Sequence, residues 1–201
     1  MKKLDPKLST IVSSLALLVA CAGSQQSAEQ PAAAADAAMG SEGAVSEAAA
    51  PEVPEGKTVE VPLQARSGST LSGKATFTET PEGVKILLAV SGVSPGDHGT
   101  HIHENGDCTS ADAESAGGHF NPEQHPHGLP VTAPRHLGDL GNITVGADGN
   151  GTLEFLAPGA NLKEGDASSF LGRAIIVHEK TDNGGQPTGN AGGRIGCAEI
   201  K

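Results

Sequence analysis

The histidines are the residues of this chain whose spacing most directly suggests chemistry. His101 and His103 lie two positions apart in the segment GTHIHENGDC. If this segment is a strand, its side chains alternate between faces, so the two imidazoles share a face and can bind one ion together. By itself, an H-x-H pair is equally typical of two polar residues on a solvated strand face. The chain has eight histidines: His98, His101, His103, His119, His125, His127, His136 and His178.

A fuller set of metal-binding side chains follows in a stretch rich in proline and glycine. His119, His127, His136 and Asp139 supply three nitrogens and one oxygen, which together make a closed tetrahedral set for zinc. The stretch has few apolar residues of its own and would gain order by binding a metal. The alternative is a polar, histidine-rich surface loop.

His178 follows a short apolar segment and supplies a further imidazole. If it meets His101, His103 and His119, the four nitrogens form a tetragonal site that favours copper(II). Spacing alone does not establish that His178 reaches the other three.

The elements that must position these side chains are predicted to be short strands. Turn residues such as Ser94-Pro95-Gly96-Asp97 separate them, and no helical period of useful length appears. Two long connections, 105–139 and 179–193, contain or border nearly all the histidines, and loops of this length are usually functional. The pattern predicts an all-β sandwich or barrel. Its predicted strands are 58–65, 71–79, 84–90, 100–104, 141–145, 151–156 and 174–177.

The N-terminal region is predicted to contain an export signal followed by a flexible tether. Three lysines in the first seven residues precede an apolar run over 11–20, as in a secretory signal, and the run is too short to cross a bilayer. The sequence LVAC resembles a bacterial lipobox, in which Cys21 would carry the lipid. An ordinary cleaved signal with an incidental cysteine is the alternative. Residues 1–20 are therefore interpreted as a signal, 21–56 as a flexible tether rich in Ala, Glu, Ser and Pro, and 57–201 as the folded domain.

The net charge limits which classes of partner are expected, and the cysteine content indicates the compartment. The net charge is −11, and removal of residues 1–20, which hold three lysines and one aspartate, leaves −13, so nucleic acid is not expected as a partner. With Cys21 lipidated, Cys108 and Cys197 remain. An even pair in an oxidising compartment is normally a disulfide, and two buried free thiols are the alternative.

Taken together, these residues resemble the copper/zinc superoxide dismutase family. The resemblance runs from Val59 to Lys201 and rests on six motifs in the family's order. These are GTHIHENGDC, GGHFNP, HG-x-P, RHLGDLGN, VHEK and GNAGGRIGC. It implies a Greek-key β-sandwich or barrel of about eight antiparallel strands with two long functional loops, related to the immunoglobulin fold. It also implies an enzyme that converts superoxide into dioxygen and hydrogen peroxide while copper cycles between two oxidation states.

The resemblance implies one copper and one zinc per subunit, with His119 bridging both metals and delivering a proton. By the same resemblance, Asp182 would hydrogen-bond both His101 and His127 and fix their orientation, and His98 would have a structural role behind the ligands. The implied copper ligands are His101, His103, His119 and His178, and the implied zinc ligands are His119, His127, His136 and Asp139.

The resemblance assigns roles to three further residues. Arg194 would attract and orient the anionic substrate beside copper. Cys108 and Cys197 would form the family's disulfide. His125 has no counterpart in the family and is interpreted as a solvated loop residue. The segment 179–193 is shorter than the family's guiding loop and has one basic residue, Lys180, so weaker attraction of superoxide is expected.

Two other functions fit parts of the pattern. A lipoprotein could store or deliver copper or zinc without turnover, or an adhesion sandwich could use metals for stability alone. The complete copper set and Arg194 favour the enzyme. The expected location is the cell envelope: the protein would be exported and lipid-anchored at Cys21, on the periplasmic face of the outer membrane. A copper donor is a candidate partner, and the lack of Trp and Tyr favours a monomer.

Overall fold

The fold is described by a computed structural model over residues 56–201. The interpreted signal at 1–20, Cys21 and the tether up to residue 55 lie outside the described residues. Within 56–201 the only helix is a single 3-10 turn, Glu114–Ala116, and no helix there is long and apolar enough to cross a membrane. The strands are β1 Thr58–Ala65, β2 Ser72–Thr80, β3 Gly83–Ser91, β4 Gly96–His103, β5 Asp139–Val145, β6 Gly151–Pro158, β7 Ala174–His178 and β8 Arg194–Glu199.

The eight strands close into an antiparallel barrel in the order β1-β2-β3-β6-β5-β4-β7-β8. The chain leaves β3 to form β4 and β5, and then returns with β6 to pair with β3. This return beside an earlier strand is the Greek-key connection. The all-β expectation is confirmed.

The barrel interior is filled by alternating side chains. In β1, Val59, Val61 and Leu63 are buried while the residues between them face solvent, as the period of two predicts. Most core side chains are aliphatic, but the core also has aromatic contacts. Phe170 packs edge-on against both Phe77 and Phe120, at centroid distances of 6.4 and 6.1 Å.

β4 and β7 differ from the other strands because both of their faces are covered. All five residues of β7 are buried, as are the last six of β4. Ile102 of β4 belongs to the core, whereas its neighbours His101 and His103 lie under the two long connections. The outside of the barrel at β4 and β7 is therefore an interior site between sheet and loops.

The long connection after β4 is joined covalently to β8. Cys108 and Cys197 form a disulfide with a Cα–Cα distance of 5.9 Å, so the predicted pairing is confirmed. The half-cystines are buried with Ala113, Ala116 and Ile176 in a small cluster outside the main core. The bond fixes the loop three residues beyond Arg194.

Candidate metal centre

His119 is placed beside β4 by backbone hydrogen bonds. Phe120 N donates to Ile102 O at 2.8 Å, Ile102 N donates to Gly138 O at 2.8 Å, and Gly138 N donates to Phe120 O at 2.9 Å. A Cβ at Gly138 would collide with the carbonyl oxygen of Ile102, so this close approach requires glycine. The same contacts deliver Asp139, the first residue of β5, next to His119.

Four histidines meet over β4 and β7. His101, His103, His119 and His178 each offer a ring nitrogen, and these atoms lie within 4.8 Å of one another. Three buried nitrogens of this set have no hydrogen-bond partner: His101 Nδ1, His103 Nε2 and His178 Nε2. A buried polar atom without a partner is costly in an interior, and three such nitrogens facing one another are positioned to bind a common ligand.

The opposite ring nitrogens are all engaged, which fixes each tautomer. His103 Nδ1 donates to Gly117 O at 2.9 Å, and His178 Nδ1 donates to Gly192 O at 3.2 Å. His101 Nε2 donates to Asp182 Oδ2 at 2.8 Å. Each unpartnered nitrogen therefore carries a lone pair, which is the form that binds a metal.

A second cluster is centred on the buried carboxylate of Asp139. Its Oδ1 lies 3.0 Å from Nδ1 of His119, 3.0 Å from Nδ1 of His127 and 3.1 Å from Nδ1 of His136. Its Oδ2 accepts the backbone N–H groups of Gly128 and His136. A tetrahedral zinc site with bonds of about 2.0 Å has ligand–ligand edges of about 3.3 Å. The observed separations match that size.

Distance alone also admits His101 to a group with His119, His127 and Asp139. His101, however, uses Nε2 for Asp182, and its Nδ1 is one of the unpartnered atoms of the four-histidine cluster. The chemistry of the nitrogens therefore favours His136 as the fourth member of the Asp139 cluster.

Asp182 lies between the two clusters. Its Oδ2 accepts from His101 and its Oδ1 lies 3.0 Å from His127 Nε2, so one carboxylate contacts a histidine of each set. Two amides that no sequence motif indicated support this link. Asn142 pairs with the backbone of Asp182 in both directions, at 2.7 and 2.9 Å, and Gln186 pairs likewise with the backbone of His127. Neither amide is a usual ligand of copper or zinc, so residue type gave no signal and only the folded loops reveal these two contacts.

Burial favours the neutral form of His103, His119 and His178 in the four-histidine cluster. Burial lowers the pKa of His178 to about 3 and of His103 well below its usual value, and the charge of Arg194 adds to both shifts. For His119, burial outweighs the hydrogen bond to Asp139 and lowers the pKa to about 4. At neutral pH these imidazoles present lone pairs and not protons.

In the Asp139 cluster, the pKa of His127 is shifted in the opposite direction, upward. Burial alone would lower the pKa of His127, but the carboxylates of Asp139 and Asp182 on either side raise the pKa to about 9. Burial would raise the pKa of Asp139, yet hydrogen bonds from its three histidines hold that pKa far below its usual range. Asp139 is therefore a permanent carboxylate.

Arg194 lies at the edge of the four-histidine cluster. It opens β8 directly across from His178 of β7. Its side chain is 13% exposed, donates from one terminal nitrogen to Ala113 O at 2.7 Å, and places the other 3.3 Å from Glu114 Oε2. The charge of Arg194 is therefore near enough to the cluster to lower the pKa of both His103 and His178.

The two remaining histidines lie outside both clusters. His98 is buried, with Nδ1 2.9 Å from His178 O and Nε2 2.9 Å from Ser94 O, and so supports the backbone of a cluster residue. His125 is partly exposed, 3.2 Å from both Glu123 Oε2 and Arg135 O.

A Greek-key barrel with two adjoining histidine clusters that share one imidazole defines a two-metal β-barrel protein. The family profile of copper/zinc superoxide dismutase (SODC) matches residues 71–200, more than half of the chain. The chain belongs to the copper/zinc superoxide dismutase family, whose members are oxidoreductases with copper and zinc as cofactors.

Two similar proteins are named copper/zinc superoxide dismutases. An extracellular superoxide dismutase [Cu-Zn] of Caenorhabditis elegans is 41% identical over 137 residues, which cover 65% of this chain and 61% of that protein's length. Superoxide dismutase [Cu-Zn] 2 of Brassica juncea is 42% identical over 142 residues, 67% of this chain and 91% of the relative.

Solved structures share the fold. A double mutant of a SOD-like protein from Bacillus subtilis matches with a TM-score of 0.64 and 40% identity, over 70% of this chain and 95% of the other. The clock protein EA4 matches with a TM-score of 0.65 and 34% identity, over 73% and 94%.

Proposed function

We propose that this chain is a superoxide dismutase that binds copper and zinc in the two clusters. The observation that carries the proposal is the set of three buried, unpartnered nitrogens on His101, His103 and His178, which lie around His119 under the charge of Arg194. Nitrogen-rich sites of this kind suit copper(II). A binding site for stability alone would not need a cation held beside it.

The ligand sets follow from the donor atoms. His101 Nδ1, His103 Nε2 and His178 Nε2, with the remaining nitrogen of His119, would hold copper. His119, His127 and His136 through Nδ1, with Asp139 Oδ1, would hold zinc. His119 is then shared, because its Nδ1 faces Asp139 and leaves Nε2 for the copper set.

Copper, when bound, supplies the one-electron oxidation and reduction that turn superoxide into dioxygen and hydrogen peroxide. His119 Nε2 is the atom at which the protein can hold and deliver a proton, since Nδ1 is fixed by Asp139. Arg194 orients the anion through its guanidinium. Asp182 fixes the orientation of the His101 and His127 rings relative to each other, because its carboxylate contacts both.

Superoxide consumption by the protein loaded with copper and zinc tests this function. Rapid consumption is expected with both metals, and none with zinc alone, because zinc does not change its oxidation state. Tight binding of both metals without turnover would instead support a protein that stores or delivers metal. This alternative merits an explicit test because two similar structures are described as a SOD-like protein and a clock protein.

The same proposal includes export and lipid anchoring of a bacterial lipoprotein. The disulfide supports an oxidising compartment, and one relative is described as extracellular. Cys21, at the end of the interpreted signal 1–20, would carry the lipid; 21–56 would be the tether and 57–201 the dismutase domain, on the periplasmic face of the outer membrane. There the enzyme would protect the envelope from superoxide. Labelled fatty acid should enter the wild-type chain in cells and be absent from a Cys21→Ser variant.

Assembly and metal loading complete the proposal. A monomer is proposed because the sequence lacks the Trp and Tyr that often anchor interfaces. A copper donor would load the four-histidine set. Light scattering of the purified protein tests the first point: a mass of one chain is expected, and twice that mass would contradict it.

A further inference from the structure

Arg194 is held by two neighbouring residues of one loop. Ala113 O accepts from Nη1 at 2.7 Å, and Glu114 Oε2 lies 3.3 Å from Nη2. Ala113 is fully buried, and its backbone is left-handed, with φ of 57°, which fixes the direction of its carbonyl group. The guanidinium is therefore oriented by the backbone and neutralised by the side chain next to it.

The loop that presents Glu114 is well fixed. Glu114 N donates to Asp112 Oδ1 at 3.0 Å, Ser110 and Ser115 exchange two hydrogen bonds, and Cys108 ties the segment to β8. The Glu114 backbone therefore stays beside Arg194 while its side chain, 66% exposed, lies on the solvent side of the arginine, which is only 13% exposed.

We propose that Glu114 competes with anions for Arg194 and so limits anion access to the copper set. The inference rests on the proposed function only in placing an anion beside Arg194. An anion that approaches Nη2 must displace a carboxylate that is already paired with this nitrogen, so part of its binding free energy is spent on breaking the Arg194–Glu114 pair. Glu114 thereby weakens the binding of every small anion, substrate and inhibitor alike.

Azide binding to the copper-loaded protein tests this inference without turnover. A Glu114→Gln variant keeps the shape of the side chain and removes its charge, and should bind azide about threefold more tightly at low ionic strength. The gain should shrink in high salt, because exposed charges are screened. Glu82→Gln is the matched control: it removes the same charge from an exposed turn before β3, and azide affinity should stay unchanged.

A double-mutant cycle shows whether Glu114 acts through Arg194. In an Arg194→Gln background, Glu114→Gln should have no further effect on azide affinity. An equal gain in both backgrounds would overturn the inference, since Glu114 would then act on the anion directly. An unchanged azide affinity in Glu114→Gln would also overturn the inference. The absence of azide binding by the wild-type protein would overturn it as well.

These outcomes are separable from the proposed function. Tighter azide binding in Glu114→Gln without any superoxide turnover would support the inference and contradict the dismutase. Normal turnover with unchanged azide affinity would contradict the inference alone.

Discussion

At the scale of single residues, the structure depends on carboxylates that serve more than one histidine. Asp139 contacts three imidazoles through a single oxygen, and Asp182 contacts one histidine of each cluster. Because such partners fix the orientation and protonation of metal ligands, their loss typically weakens metal binding tenfold to a hundredfold. The charge and position of Asp182 should matter as much as those of a direct ligand.

Asp182→Asn should therefore weaken the binding of both metals by about tenfold or more. An amide can accept from only one of the two histidines, so the other ring loses its fixed orientation. Competition with a chelator measures both affinities. Asp148→Asn, in an exposed turn, is the control, and equal affinities in the Asp182 variant and the control would contradict this role.

The raised pKa of His127 predicts proton release on zinc binding. Between pH 6.5 and 9 the folded, metal-free protein holds a proton on His127 that coordination through Nδ1 must displace. His119, with a pKa of about 4, contributes no proton at pH 7.5. Calorimetric zinc titrations at pH 7.5 in buffers of different ionisation enthalpy should show about one proton released, and fewer above pH 9. No release at pH 7.5 would contradict the assignment.

At the scale of elements, two long connections are held against the barrel by a few specific bonds. Gln186 of the second connection pairs with both backbone groups of His127 in the first, at 3.1 and 2.7 Å. The disulfide joins the first connection to β8. The metal-binding geometry thus depends on contacts between loops as well as on the sheet.

Gln186→Ala should speed the release of zinc by about tenfold, since two hydrogen bonds that fix His127 are lost. Stopped-flow transfer of zinc to a coloured chelator measures the rate. Asn183→Ala changes an exposed amide of the same connection and serves as the control. A release rate equal to that of the control would show that Gln186 does not position His127.

Removal of the disulfide by a double Cys108→Ala, Cys197→Ala substitution should lower the unfolding free energy of the metal-free protein by about 4 kcal/mol. The bond closes a loop of 89 residues, and the chain-entropy estimate for that length is about 4 to 5 kcal/mol. Guanidinium unfolding measures the change. A loss below about 1 kcal/mol would contradict this contribution.

The elements also show where sequence reasoning succeeds and where it fails. β1 and β6 alternate clearly, and their first residues, Thr58 and Gly151, were predicted. β4 begins at Gly96, four residues before its predicted start, because Pro95-Gly96-Asp97 has the composition of a turn. β8 contains small buried residues such as Gly196 and Ala198 and gives no periodic signal, so only the family resemblance indicated it.

The same limit applies to the site. The histidines, Asp139 and Asp182 were found by residue type and family motif. The contacts of Asn142 and Gln186 were not found, and neither was the pair of Glu114 with Arg194. These side chains are common surface types, and their roles arise from loop paths that bring together residues up to 80 positions apart. No local pattern records such a contact.

At the scale of the whole molecule, an acidic protein holds one local cation beside a cluster that would receive an anion. The chain carries −11 in total. Lys180 is the only basic residue of 179–193, so in the proposed function Arg194 and the metals, when bound, would supply the local attraction. We therefore expect the position of Arg194 to matter more than the net charge for anion binding at the cluster.

The most direct test of the account compares His103→Ala with His125→Ala, both loaded with copper and zinc. The two substitutions are identical in chemistry, but His103 offers an unpartnered nitrogen to the four-histidine set, whereas His125 lies outside both clusters. Superoxide consumption should be lost in His103→Ala, which should retain zinc, and should be unchanged in His125→Ala. Full turnover in His103→Ala would contradict the assignment of the four-histidine cluster as the site of reaction.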